Sequence, residues 1–314
     1  MKRHRDHGGG LDAAIARFGG ERDNWIDLST GINPDPFPIP DIPAQAWTAL
    51  PDACAQDALL QAARAFWNVP REAAILAAPG ASALIARLPA LWPAAQVAIH
   101  TPTYNEHAAA FEAHGWDVAQ RPSASTAAQV VVHPNNPDGR MWSGDELTGD
   151  VVIIDESFCD VTPDQSHMSR TTRGDTIILK SFGKFWGLAG MRLGFAIGAP
   201  AHIARLADLM GPWAVSGPAL GIATAALSDA GWAAQARRKL AESATRLDGL
   251  MSQKGAKLIG GTDLFRLYDV DDARAWQDRL ARGHVWSRIF PYSDTWLRLG
   301  LPSEQGWDQL GAAL

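Results

Sequence analysis

Val151-Val152-Ile153-Ile154-Asp155-Glu156 sets four β-branched residues in a row and ends them on two acids. So short and apolar a run reads as a strand buried on both faces, the habit of a parallel sheet. An acid closing such a strand is costly unless a partner meets it. Asp155 is therefore either a cap on the following turn or the counter-charge of a cationic group held at the strand's end.

Similar runs recur outward from this one. Gln96–Ile99, Val130–His133, Thr176–Lys180 and Leu193–Ile197 have strand character, and Ser82–Leu91 and Asn105–Ala113 between them have helical patterns. The alternation predicts an α/β domain whose mainly parallel sheet is covered by helices on both faces. Ligands of such sheets bind at the carboxyl ends of strands. The Pro-rich stretch Asn33–Pro40 forbids helix and reads as an arm or a connection to a small domain. Past Gly217-Pro218 come a helix over Trp232–Lys254, strands Lys257–Ile259, Leu264–Tyr268 and Thr295–Leu299, and a helix near Asp272–Ala281. The expected division is a large domain over residues 46–230 and a smaller α+β domain from an N-terminal arm, residues 1–45, together with residues 231–314.

With 314 residues, 46% of them hydrophobic, the chain can build a sizeable core. A formal net charge of -6 without a basic run argues against nucleic acid as a partner. Cys54 and Cys159 form no C-x-x-C pair, so no metal motif is present, and reduced thiols in a cytoplasmic protein are expected. The basic opening Met1–Gly8 is followed by no apolar stretch and does not read as a signal peptide. No apolar run approaches the ~18 residues of a membrane span.

The densest chemistry lies in Ser181-Phe182-Gly183-Lys184-Phe185-Trp186-Gly187-Leu188-Ala189-Gly190-Met191-Arg192. Its lysine could form a Schiff base with an aldehyde cofactor while the Ser181 hydroxyl and the Arg192 fork hold that cofactor's phosphate. Lys180, four residues earlier, is a rival amine that lacks the S-x-x-K relation. Gly80-Ala81-Ser82 opens a helix and is either a phosphate-binding turn or a plain strand–helix connection. Asn136, within His133–Gly139, either shapes a turn or offers its amide to a phenolate oxygen. Tyr104 either packs in the core or stacks on an aromatic cofactor. Arg298 within Trp296–Gly300 needs a partner, either a substrate carboxylate or a structural acid.

In their order along the chain, from about Leu50 to Leu301, these segments resemble the fold-type I pyridoxal 5′-phosphate enzymes, the aspartate aminotransferase superfamily. The separation of 29 positions from Asp155 to Lys184 matches that family's spacing. The resemblance implies the pyridoxal phosphate-dependent transferase fold and pyridoxal 5′-phosphate as cofactor. It implies that Lys184 bonds the cofactor's aldehyde, Asp155 pairs with its pyridine N–H, Asn136 contacts O3′ and Tyr104 stacks on the ring. Gly80, Ala81, Ser82, Ser181 and Arg192 would surround the phosphate, and Arg298 would take the substrate's α-carboxylate.

Further segments narrow the likeness. His7-Gly8-Gly9-Gly10, Ile26–Pro34, Leu50-Pro51-Asp52, Arg288-Ile289-Phe290 and Leu297–Pro302 resemble the threonine-phosphate decarboxylases of cobalamin biosynthesis, whose near relatives are histidinol-phosphate aminotransferases. This implies release of CO₂ from L-threonine O-3-phosphate to give (R)-1-aminopropan-2-ol O-2-phosphate. His7, Asn33 and Arg288 would hold the small phosphorylated substrate, and the site would lie at a homodimer interface. An aminotransferase and a non-catalytic regulator that binds the cofactor are the competing readings. Two positions depart from the family pattern. Phe158 stands where many members carry a Tyr bonded to O3′, and Leu50 stands near a Tyr that reaches the neighbouring subunit's cofactor phosphate.

Overall fold

The computed structural model describes residues 6–314; the first five residues, part of the basic opening stretch, lie outside it. The chain divides into two compact units. The larger comprises Pro36–Asn136 and Arg140–Ala234, and the smaller comprises the described part of Met1–Asp35, Pro137–Gly139 and Gln235–Leu314.

The larger unit is built on a seven-stranded sheet. Its strands lie in the order Ala74–Ala78, Gly194–Gly198, Thr176–Ser181, Val151–Asp155, Thr126–Val132, Gln96–Ile99 and Asp117–Ala119. All neighbours run parallel except Gly194–Gly198, which is antiparallel to both of its own. The return from Ser181 to Gly194 carries one 3-10 turn, Ala189–Met191, and no crossover helix, and a parallel strand would require a crossover. Every residue of Val151–Asp155 is buried, as its unbroken apolar run demands. Each fully buried Val or Ile there contributes about 1.5–3 kcal/mol relative to exposure.

The helix expected over Ser82–Leu91 is instead Ala81–Ile85 followed by a 3-10 turn at Leu88–Leu91. Pro89 lacks the N–H that would close the α-helical bond to Ile85, so the turn tightens. The Ala74–Ala78 strand carries no β-branched residue except Ile75 and so has little strand signature. Residues 36–45, read above with the arm, belong to the larger unit. There the Phe37 N–H donates to the Trp186 carbonyl at 3.0 Å and its ring meets Trp186 and Trp232 edge-on.

The smaller unit holds a four-stranded antiparallel sheet in the order Arg288–Phe290, Ser293–Gly300, Phe265–Asp269, Lys257–Thr262. The Ala273–Arg282 helix buries Trp276, Leu280 and Ala281. Ile26–Asp27 pairs in parallel with Val285–Trp286, which ties the N-terminal segment to the C-terminal part. Among the described residues no helix is long and apolar enough to cross a membrane.

Candidate active site

In the larger unit, residues from separate strand ends line one cavity of about 220 Å³. Asp155 lies in its floor at the carboxyl end of its strand. Lys184, Ser181 and Arg192 come from the loop after Thr176–Ser181, and Ala81 and Ser82 from the start of the Ala81–Ile85 helix. Tyr104, Asn136 and Phe158 complete the lining named above. Two of these loops are tied by a residue the sequence left unremarked. The buried Asn135 amide donates to the Pro102 carbonyl at 3.0 Å and accepts from the Thr103 hydroxyl at 2.6 Å. That junction sets the positions of Tyr104 and Asn136 together.

Asp155 has its partners inside the protein. His107 Nε2 donates to Oδ2 at 2.9 Å, and the Ser157 N–H donates to Oδ1 at 3.0 Å. Burial alone would raise the carboxyl's pKa, but the His107 bond and charge, with the Ser157 donors, hold it below the ordinary value. A carboxylate buried and kept ionised is suited to hold a proton on a cationic ring nitrogen. His107 escaped the sequence reading. The only signal was a His three residues past Tyr104 on a predicted helix, and nothing in that marks its inward direction. Its ring meets Tyr104 edge-on, centroids 6.1 Å apart. Burial, then the Glu106 and Asp155 charges, raises the Tyr104 phenol pKa, so it stays protonated at neutral pH.

The cavity wall that carries Arg192 and Ala81 is shaped by close backbone approach. A Cβ on Gly80, whose φ is 84°, would meet Arg192 Nη2 at 2.5 Å. One on Gly194 would meet the Ala81 nitrogen at 2.4 Å. The two glycines thus let the guanidinium and the first helical N–H converge. Arg192 itself adopts a left-handed φ of 53°, and its Nη1 donates to the Ala189 carbonyl at 3.1 Å.

The two lysines separate cleanly. Lys184 borders the cavity, its Nζ 5.1 Å from the Phe158 ring centroid. Lys180 is buried, with Nζ 2.7 Å from Glu156 Oε2 and 3.3 Å from Asp160 Oδ1. Burial alone would lower its pKa, but the two carboxylates outweigh it and raise it. Burial likewise presses Glu156 upward, and Lys180 outweighs it to bring the carboxyl down. Asp160 also accepts from the indoles of Trp67 and Trp186 at 3.0 and 3.2 Å. Lys180 is therefore bound in a structural cluster away from the cavity lining that includes Lys184.

The smaller unit carries the remaining candidates. Arg288 and Arg298 stand directly opposite each other in the antiparallel ladder, so both side chains leave the same face. Arg298 is buried and its Nη2 donates to the Ser29 carbonyl at 2.6 Å. Burial first, then the Arg288 charge, pulls its pKa down to about 9, which leaves it protonated at neutral pH. Arg288 Nη2 lies 2.7 Å from Asp6 Oδ2, a pairing absent from the sequence reading. The exposed His7 follows Asp6 directly, and beyond it Gly9 donates to Ser29 Oγ at 2.7 Å. A Cβ on Gly8 would meet the Ser29 carbonyl oxygen at 2.5 Å, so this stretch lies flat on the Ser29 backbone. Asn33 is buried, and its Oδ1 accepts from the Asp35 N–H at 3.0 Å, which is a turn-forming bond. Among the described residues no His, Cys, Asp or Glu cluster could hold a metal ion.

The family model described as aminotransferase class I and II matches residues 23–314. A threonine-phosphate decarboxylase from Sinorhizobium sp is 40% identical over 96% of this chain and 95% of its own length. One from Pseudomonas aeruginosa is 38% identical over 98% and 97%. In fold, the chain is similar to a histidinol-phosphate aminotransferase from Sinorhizobium meliloti solved in complex with pyridoxal-5′-phosphate. That likeness has a TM-score of 0.83 at 20% identity and covers 100% of this chain and 97% of that one.

Proposed function

We propose a function from one premise: the chain belongs to the aminotransferase class I and II family. We infer that it is a pyridoxal 5′-phosphate-dependent decarboxylase of L-threonine O-3-phosphate, releasing CO₂ and (R)-1-aminopropan-2-ol O-2-phosphate in cobalamin biosynthesis. The two relatives at 40% and 38% identity, matched along nearly their whole length, support this reading over transamination.

The donor set suits that cofactor. A buried anionic carboxylate, an amine bordering the cavity and a guanidinium beside a helical N–H match its ring nitrogen, aldehyde and phosphate. When bound, the cofactor draws electrons from whichever Cα bond stands perpendicular to its ring plane. Asp155 would hold the ring nitrogen's proton, with His107 and Ser157 fixing its orientation. Tyr104 would cover one face of the ring and Asn136 would donate to O3′. Ser82, Ser181, Arg192 and the Ala81 N–H would hold the phosphate. The Lys184 amine would bind the cofactor and afterwards carry a proton to the carbon that CO₂ leaves.

The single observation that carries the substrate assignment is the Arg288–Arg298 pair. Two guanidinium groups side by side on one face, each largely removed from water, suit a ligand that carries two anionic groups. A substrate with a carboxylate and a phosphate at its two ends supplies both. Arg298 would take the carboxylate and Arg288 the phosphate, with His7 and Asn33 beside them. Gripping both ends would fix rotation about Cα, and that rotation would select the C–C or the C–H bond for cleavage.

The protein is further proposed to be a homodimer. Trp47, Leu50 and Trp213 of the larger unit are exposed by 60% or more, as expected of surface a second copy would cover. Leu50 cannot bond a neighbouring cofactor phosphate, so that contact is missing or made by another group.

The deciding assay supplies L-threonine O-3-phosphate with no 2-oxo acid. Stoichiometric CO₂ release is expected. Turnover that requires 2-oxoglutarate would establish an aminotransferase instead, and cofactor binding without turnover of any amino acid would establish a regulator.

A further inference from the structure

We propose that Asp6 is an internal anion that occupies the Arg288 guanidinium until an anionic group of the substrate displaces it, so that residue 6 sets substrate affinity. The inference rests on the reading of Arg288 as the phosphate-binding arginine.

The strand ladder creates the need. Arg288 and Arg298 face one another across neighbouring antiparallel strands, where Cβ atoms lie ~4.5–5.5 Å apart and like charges destabilise the pair. Arg298 is served by the Ser29 carbonyl. Arg288 receives a full carboxylate, Asp6 Oδ2 at 2.7 Å from its Nη2.

The partners are unequally placed. The Arg288 side chain is 12% exposed and lies over the Phe290 ring, 5.4 Å from its centroid. The Asp6 side chain is 41% exposed, so it can return to water at small cost while Arg288 cannot. Asp6 is also tethered close by. Three residues later Gly9 donates to Ser29 Oγ at 2.7 Å, and its carbonyl accepts from the Trp286 indole at 3.0 Å. A short tether keeps the local carboxylate concentration high, so the guanidinium is rarely without an anion. A phosphate offers more charge and more acceptor oxygens than one carboxylate and can displace it. A neutral or weakly anionic side chain cannot. Competition with Asp6 would thus lower affinity for every ligand and leave phosphorylated ones as those still able to bind.

The test measures binding of inorganic phosphate to the cofactor-loaded protein by isothermal titration calorimetry, so that the cofactor's own phosphate site is filled. Asp6→Asn should tighten phosphate binding by roughly twofold to fivefold, the scale of a partly exposed ion pair. Arg288→Gln should weaken it by about tenfold or more. Asp12→Asn removes an equal charge from a residue whose partner is Arg22, and should leave the constant unchanged. If Arg288→Gln weakens binding but Asp6→Asn leaves it unchanged or weaker, Asp6 does not compete and the inference fails alone. If Arg288→Gln has no effect, Arg288 is not the phosphate's partner, and that reading falls together with the inference. If Asp12→Asn tightens binding as much as Asp6→Asn, the effect is one of net charge and competition is refuted.

Discussion

Phe158 lines the same cavity as Asn136 and Lys184, so a Tyr at that position would place a hydroxyl beside the O3′ that Asn136 is proposed to meet. A hydroxyl there would stabilise the negative form of that oxygen and so ease proton loss from the neighbouring nitrogen contributed by Lys184. Without it the proton would be held longer. Phe158→Tyr should move the midpoint of the visible absorption titration of the loaded protein downward by about one pH unit, the effect of one hydrogen bond. An unchanged or higher midpoint would show that the new hydroxyl does not reach O3′. The same scale explains why Lys184 could be told from Lys180. Both were visible as residue types, but only packing revealed that Glu156 and Asp160 claim the amine of Lys180.

At the scale of elements, the Lys180–Glu156–Asp160 cluster joins the Thr176–Ser181 strand to the turn after Val151–Asp155. Removing one partner of a buried pair leaves an uncompensated charge. Lys180→Met should cost about 3–5 kcal/mol in urea unfolding, and adding Glu156→Gln should recover part of that loss. Strictly additive losses would mean the charges are not coupled. The turn after Thr126–Val132 makes a pH prediction. His133 Nδ1 accepts the Trp142 N–H at 3.0 Å and its Nε2 donates to the Gln165 carbonyl at 2.8 Å, which requires the neutral ring. Burial lowers its pKa; the Gln165 bond opposes this in part, and the His167 charge adds to the lowering. A histidine depressed in the folded state binds protons first in the unfolded state. Its contribution is complete above the unfolded value of ~6.5 and is lost as pH falls from there toward the folded value, at most ~1.4 kcal/mol per pH unit. His133→Asn should flatten the fall in denaturation midpoint below pH ~6.5. An unchanged slope would assign it to other groups.

At the scale of the whole molecule, the proposed substrate needs both arginines of the smaller unit. The product has lost the carboxylate and kept the phosphate, so it separates their roles. As an inhibitor it should bind Arg298→Gln about as well as the parent and bind Arg288→Gln about tenfold more weakly. Equal weakening by both substitutions would place both guanidinium groups on the phosphate.

The strand Val151–Asp155, the S-x-x-K relation of Ser181 and Lys184, and the order of the other segments were legible in the chain, because buried strands are written as apolar runs and their ends as exceptions to those runs. The sequence by itself determined the mainly parallel sheet, the strand-end carboxylate and the two lysines from which packing then separated one. Its local patterns could not reveal contacts between residues far apart in the chain. His107 on Asp155, Asn135 between two loops, Arg288 beside Arg298 and Asp6 upon Arg288 were decided only by the tertiary structure. The physical reason is that periodicity reports which side of an element is buried, whereas a buried charge is satisfied by whatever partner the fold carries to it.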